Sequence, residues 1–141
     1  MATEIAARLR CPARVLDPAA VGMRGLVECI RTANAMIGMR LHALIFSLLA
    51  ARPFIAVGED PKMDGFVRQV RRVSGLDLPS WTPTQFAGHN GDTVEAVISL
   101  CSNYEAKRGR LIRAGEALYQ QTRQAMDAVW QRLSQHTVKG Q

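Results

Sequence analysis

Two short segments of this 141-residue chain hold side chains that could do chemistry on an anion. The first is Gly38-Met39-Arg40-Leu41-His42, where a short apolar run, Ala35 to Ile37, gives way to an apolar stretch from Leu41 to Ala51. A guanidinium and an imidazole therefore stand at an otherwise apolar junction. Where a strand turns into a helix, free backbone N–H groups and the positive end of the helix dipole face one cleft, and an arginine there can grip phosphate or carboxylate in a fork. Residues two apart do not share a helix face, so Arg40 and His42 are expected to flank an anion from different sides. The second segment is Gly58-Glu59-Asp60-Pro61-Lys62, a glycine-containing loop after the apolar run Phe54 to Val57, with a lysine in the first turn of a following helix. Lysine adds positive charge at the positive end of a dipole, which either solvation tolerates or a bound anion offsets. Asp60 is expected to cap that helix in preference to pairing with Lys62.

Each residue also has a plainer reading. Arg40 can be a surface arginine beside a loop, and His42 a core histidine bonded to a backbone carbonyl. The basic groups Arg68, Arg71, Arg72 and Lys107, Arg108, Arg110, Arg113 read as solvated helix faces.

Other chemistries find little support. His89 and His136 have no ligand spacing relative to His42 or to the widely separated Cys11, Cys29 and Cys101, so neither a metal site nor a disulfide framework is expected. The chain carries no Walker loop, no Gly-x-Gly-x-x-Gly and no Gly-x-Ser-x-Gly, and no cofactor is expected. Eighteen basic against twelve acidic residues give +6, which favours anionic partners: phosphorylated metabolites, nucleic acid or an acidic membrane surface. Trp81 and Trp130 are expected to pack within the protein. The opening MATEIAARLR mixes charges into its first turns and reads as a short amphipathic helix, without the apolar core of a secretion signal. The longest predominantly apolar run, Ala43 to Ala51, is nine residues, well short of the roughly 20 that span a bilayer. A soluble, cytoplasmic chain is expected.

The elements that would position these residues follow from hydrophobic period and punctuation. Arg14-Val15-Leu16 reads as a strand closed by Asp17-Pro18, followed by a helix from Val21 to Ala33. The run Ala35 to Ile37 is a second short strand, and Leu41 to Ala51, apolar all round, is a buried helix. Phe54 to Val57 reads as a strand buried on both faces, and Pro61 to about Val73 as a helix with Phe66, Val67 and Val70 inward, ended by Gly75. Repeated strand-then-helix units argue for an α/β fold, a Rossmann-like parallel sheet with flanking helices and ligands at the carboxyl ends of its strands. Leu76 to Gly91 is loop-rich, with one further strand expected around Leu76 to Leu78. Asp92 or Thr93 then caps a helix with Val94, Val97, Ile98 and Cys101 inward. A long helical tail runs to about Gln135 through Leu111, Ile112, Leu118, Met126, Val129, Trp130 and Leu133, with a break near Gly109.

The run from Ala35 to Ser47, the segment Pro53-Phe-Ile-Ala-Val-Gly58 and the segment Asp60-Pro-Lys-Met-Asp-Gly-Phe66 together resemble the polysaccharide pyruvyl transferase family. The likeness is strongest over residues 34 to 67 and points to the branch that adds ketal-linked pyruvate to cell-wall glycopolymer precursors. It implies phosphoenolpyruvate as donor, His42 as the proton-transfer group, and Arg40 and Lys62 as the side chains that hold phosphate and carboxylate. It also implies a saccharide acceptor, including one lipid-linked at the inner membrane face, and no nucleic acid. The implied architecture resembles a two-domain GT-B-type transferase. Residues 1–91 would belong to its Rossmann-like C-terminal domain and 92–141 to a helical extension of that domain, while the N-terminal domain and the family's remaining anion-binding arginine would lie outside this chain. Glu59 departs from the family pattern, which usually has an aromatic there. Two other classes stay open: a nucleotide-sugar glycosyltransferase of similar fold, and a non-catalytic basic module that binds nucleic acid or an acidic surface.

Overall fold

The computed structural model describes residues 12–88 and 90–138. Its order is α1 (Pro18–Thr32), β1 (Met36–Gly38), α2 (Leu41–Leu49), β2 (Phe54–Val57), α3 (Pro61–Ser74), β3 (Ser80–Trp81), α4 (Pro83–Gly88), α5 (Asn90–Cys101) and α6 (Tyr104–Val138). The expected α/β architecture is present as a small three-stranded parallel sheet, ordered β1-β2-β3, in a mostly helical chain. β2 lies in the middle with Phe54, Ile55, Ala56 and Val57 all buried, which accounts for its unbroken apolar run.

Arg14 to Leu16 is not a strand. No described strand lies beside it, and an extended segment without a ladder partner forms no sheet. Asp17 starts α1 instead, accepting the Ala19 N–H at 2.9 Å with Pro18 in the first turn. Gly22, at φ 63° and ψ 177°, interrupts that opening turn, so regular helix resumes near the expected start. The third strand forms at Ser80–Trp81, later than Leu76–Leu78. The Leu78 carbonyl accepts from Arg71 Nε at 2.8 Å, while the ladder to β2 begins at the Pro79 and Trp81 carbonyls, which accept from Ala56 and Gly58. Leu76 and Leu78 contribute buried side chains to the core.

The core gathers Leu44 and Leu48 of α2, Met63, Val67 and Val70 of α3, and Leu111 and Ala114 of α6 around β2. Phe54 stacks on Phe66 with centroids 6.1 Å apart. α2 is not uniformly buried: Leu49 is 70% exposed while Ser47 is fully buried. The Ser47 hydroxyl lies 2.9 Å from the Ala43 carbonyl and 2.7 Å from Met36 Sδ, so its single proton joins α2 either to its own backbone or to β1. α3 closes as expected on Gly75, whose φ of 64° suits glycine.

Arg71, Lys107 and Arg110, read as solvated, are engaged with backbone, and so is Arg52. Arg110 donates from Nε to the Ser74 carbonyl at 2.7 Å and from Nη2 to the Gly75 carbonyl at 2.6 Å. Lys107 donates to the carbonyls of Ser99, Leu100 and Ser102 at the end of α5. Arg52 donates to the Arg31 carbonyl at the end of α1 and lies 4.5 Å over the Tyr104 ring. The last carbonyls of a helix lack intrahelical donors and carry partial negative charge, which draws such side chains in. Arg68, Arg72, Arg108 and Arg113 are exposed as expected.

The C-terminal half differs most from expectation. The turn between the last helices falls at Ser102–Asn103, with Asn103 at φ 52°, and α6 runs unbroken through Gly109. In α5 Leu100 is the buried residue, whereas Val94 and Ile98 are 57% and 63% exposed. Trp81 packs against Phe86, but Met126, Val129 and Trp130 are all exposed. The segment MATEIAARLR, Cys11, His89 and the side chains of Leu133 and His136 lie outside the described residues.

A Cβ at Gly38 would stand 2.6 Å from Leu44 Cδ2 and 3.3 Å from Ala43 Cβ, whereas one at Gly65, inside α3, would meet nothing within 4 Å. Urea unfolding should therefore show Gly38→Ala destabilised by about 1–3 kcal/mol and Gly65→Ala stabilised by about 0.5–1 kcal/mol.

Candidate anion-binding site at the carboxyl edge of the sheet

β1 and β2 run parallel with Gly38 beside Ala56, so the loops that follow them leave the same edge of the sheet, roughly 4.8 Å apart at the strand ends. Arg40 closes the first loop and His42 stands in the helix turn that follows it, while Lys62 stands in the helix turn after the second loop. Arg40 is the N-cap residue of α2, extended at φ −137° and ψ 141°, and its carbonyl accepts the N–H groups of Ala43 and Leu44. Arginine has no acceptor atom, so nothing in its side chain can cap a helix, and no other side chain does so here. The N–H groups of Leu41 and His42 precede the first intrahelical bonds and stay open to a ligand. Only an acceptor from outside the helix can satisfy them.

His42 is exposed in the first turn of α2, which rules out the buried, carbonyl-bonded histidine. Arg40 and Lys62 are exposed as well. Among the described residues, none of these three side chains is held by a hydrogen bond or ion pair. All three are free to meet a ligand.

The neighbouring end of α3 is built differently. Asp60 caps it as expected, its carboxylate accepting the Lys62 N–H at 2.9 Å. Asp64 stands in the same first turn and accepts the Ser80 hydroxyl at 2.9 Å, which ties α3 to β3. Two carboxylates therefore already offset the helix dipole and the Lys62 charge. The electrostatic reason for expecting an anion at Lys62 falls away, and only its place beside the α2 end remains. Glu59 adds a further exposed carboxylate to that loop, while the first turn of α2 holds no acid at all. The α2 end is therefore the more electropositive of the two, with Lys62 across one strand spacing.

Ser47 carried no role in the sequence reading and Gly38 only that of ending a strand, although both set where α2 lies. A lone serine in an apolar helix was the available signal for Ser47. No group of three or more His, Cys, Asp or Glu side chains that could hold a metal ion occurs among the described residues.

Residues 4–61 match the family model of polysaccharide pyruvyl transferase. The resemblance drawn from the sequence is borne out over this N-terminal part of the chain, which includes Arg40 and His42. Lys62 lies one residue past the match. No curated protein and no solved structure matches the chain. No described helix is long and apolar enough to cross a membrane.

An arginine at an N-cap costs stability relative to a residue that can accept a hydrogen bond. Arg40→Ser should stabilise the fold by about 1 kcal/mol in thermal or urea unfolding, whereas Asp60→Ala, which removes a working cap, should destabilise it by a similar amount. A loss of stability in Arg40→Ser would mean that the Arg40 side chain supports the fold.

Proposed function

We propose that this chain carries the donor-binding wall of a pyruvyl transferase that moves pyruvate from phosphoenolpyruvate onto a saccharide as a ketal. The observation that carries the reading is the uncapped start of α2: two open backbone N–H groups, a guanidinium and an imidazole at one strand end, in the segment matched by the family model. A donor with up to three negative charges suits a site with preorganised donors and no neighbouring carboxylate in its helix turn.

In this reading Arg40 and the α2 N–H groups hold one anionic group of the donor, and Lys62 reaches the other from the next loop. His42 delivers a proton to the methylene carbon, leaving an oxocarbenium-like centre that one sugar hydroxyl attacks. Phosphate then departs with the C–O bond electrons, and a second hydroxyl closes the ketal, each hydroxyl giving up its proton. The acceptor is a cell-wall or exopolysaccharide precursor, including a lipid-linked one met at the cytoplasmic membrane face. The second wall of the cleft comes from an N-terminal domain in a GT-B-like arrangement.

Calorimetric titration of the chain separates this reading from its rivals. Phosphoenolpyruvate should bind, and Arg40→Ala should weaken that binding by tenfold or more, the scale of one lost charge-assisted bond. Tighter binding of nucleotide sugars would favour a glycosyltransferase; salt-sensitive binding of duplex DNA with none of phosphoenolpyruvate would favour the basic module. In a form that turns over, His42→Gln should lower kcat by about 10²–10⁴ with little change in KM, as expected for a lost acid–base group.

A further inference from the structure

The long helix α6 has two faces with different fates. Leu111 and Ala114 are fully buried against α2 and α3, but every described side chain from Tyr119 to Arg132 is exposed. Four of the five large exposed apolar residues described in α6 follow one line, and Trp130, 64% exposed, stands beside it. Ile112, Tyr119 and Met126 recur every seven positions, 39%, 62% and 58% exposed, and three residues after them come Gly115, Thr122 and Val129. That is the a/d spacing of a helix that packs along another helix. Beside this seam, between α2, α3 and α6, lies an open, mainly apolar groove of about 630 Å³, whose walls include Ile45, Leu49 and Gly115.

We propose that a second copy of this chain covers this face, with its α6 antiparallel to the first about a twofold axis between residues 120 and 121. This register sets Ile112 against the partner's Val129, Tyr119 against the partner's Thr122, and Gly115 against the partner's Met126. A Cβ at Gly115 would make only ordinary contacts, 3.8 Å and 3.9 Å from Leu48 atoms, so packing within the chain does not require glycine there. An interior helical glycine costs about 1 kcal/mol relative to alanine. The space it leaves, on the groove wall, receives the long methionine of the second copy. The same register brings Glu116 to the partner's Arg123 and Arg123 to the partner's Glu116, opposite charges flanking the seam on both sides of the axis. Neither side chain has an ion-pair partner within the chain among the described residues. A parallel, in-register pair would set glycine against glycine and threonine against threonine, and would bring neither charge to its opposite. Such pairing is isologous, so it closes as a dimer.

Sedimentation equilibrium of the full chain over a range of concentrations tests the proposal. The expected result is a monomer–dimer equilibrium that Met126→Glu shifts to monomer. Glu116→Arg and Arg123→Glu should each weaken the dimer several-fold, because like charges then face each other, and the two together should restore it by exchanging the signs of every pair. Circular dichroism checks that each variant remains helical. Monomer at every concentration would assign the face to some other occupant and overturn the proposal. So would a dimer indifferent to Met126→Glu, or a doubly charge-reversed variant no tighter than the singles.

Discussion

Leu44 rests on Gly38 so closely that no side chain fits between them, and this contact fixes where α2 can begin. With the helix pressed onto the end of β1, only Met39 and Arg40 separate strand from helix. The first N–H groups of α2 must then open at the carboxyl edge of the sheet. Ser47, buried one turn beyond Leu44 and within reach of Met36, holds the same pair of elements from the other end of the contact. A looser junction would still form a fold, but its helix end would point nowhere in particular.

Two helix starts stand side by side on that edge and are neutralised by opposite means. α3 carries its own carboxylates, Asp60 at the cap and Asp64 within the turn, and is electrostatically complete without a ligand. α2 carries cations and open N–H groups, so its requirement for negative charge is unmet inside the chain. Position alone would make the two ends look equivalent; the distribution of carboxylates distinguishes them and assigns Arg40 and His42 a stronger claim on an anion than Lys62.

The central elements were legible because their signals are local. Four apolar residues between Pro53 and Gly58 could be little other than a buried strand, and Asp60-Pro61 with Gly75 bracketed α3 by its own cap chemistry. Arg14 to Leu16 had a strand's composition but needed a neighbour that composition cannot supply. The place of β3 turned on whether the Leu78 carbonyl would bond to Arg71 or to the sheet, a tertiary choice. α5 misled for another reason: Val94 and Ile98 share a helical period, yet Leu100 is the side that meets the core. At the site, residue identities could be read off the chain. At Lys62's helix end the Asp60 cap was legible too, but the tie from Asp64 to Ser80 was not, because it depends on where β3 falls.

The basic residues at helix ends change what the formal charge of +6 means. Arg52, Lys107 and Arg110 each sit on the carbonyl end of a helix, where roughly half a negative charge is concentrated. Their cations close dipoles. Fewer cations remain free to neutralise phosphates, so a polyanion that bound would release fewer of its own counterions than the sequence total implies. As a polyelectrolyte the protein is milder than its composition, and its field comes from the cations that stay exposed, Arg40 among them.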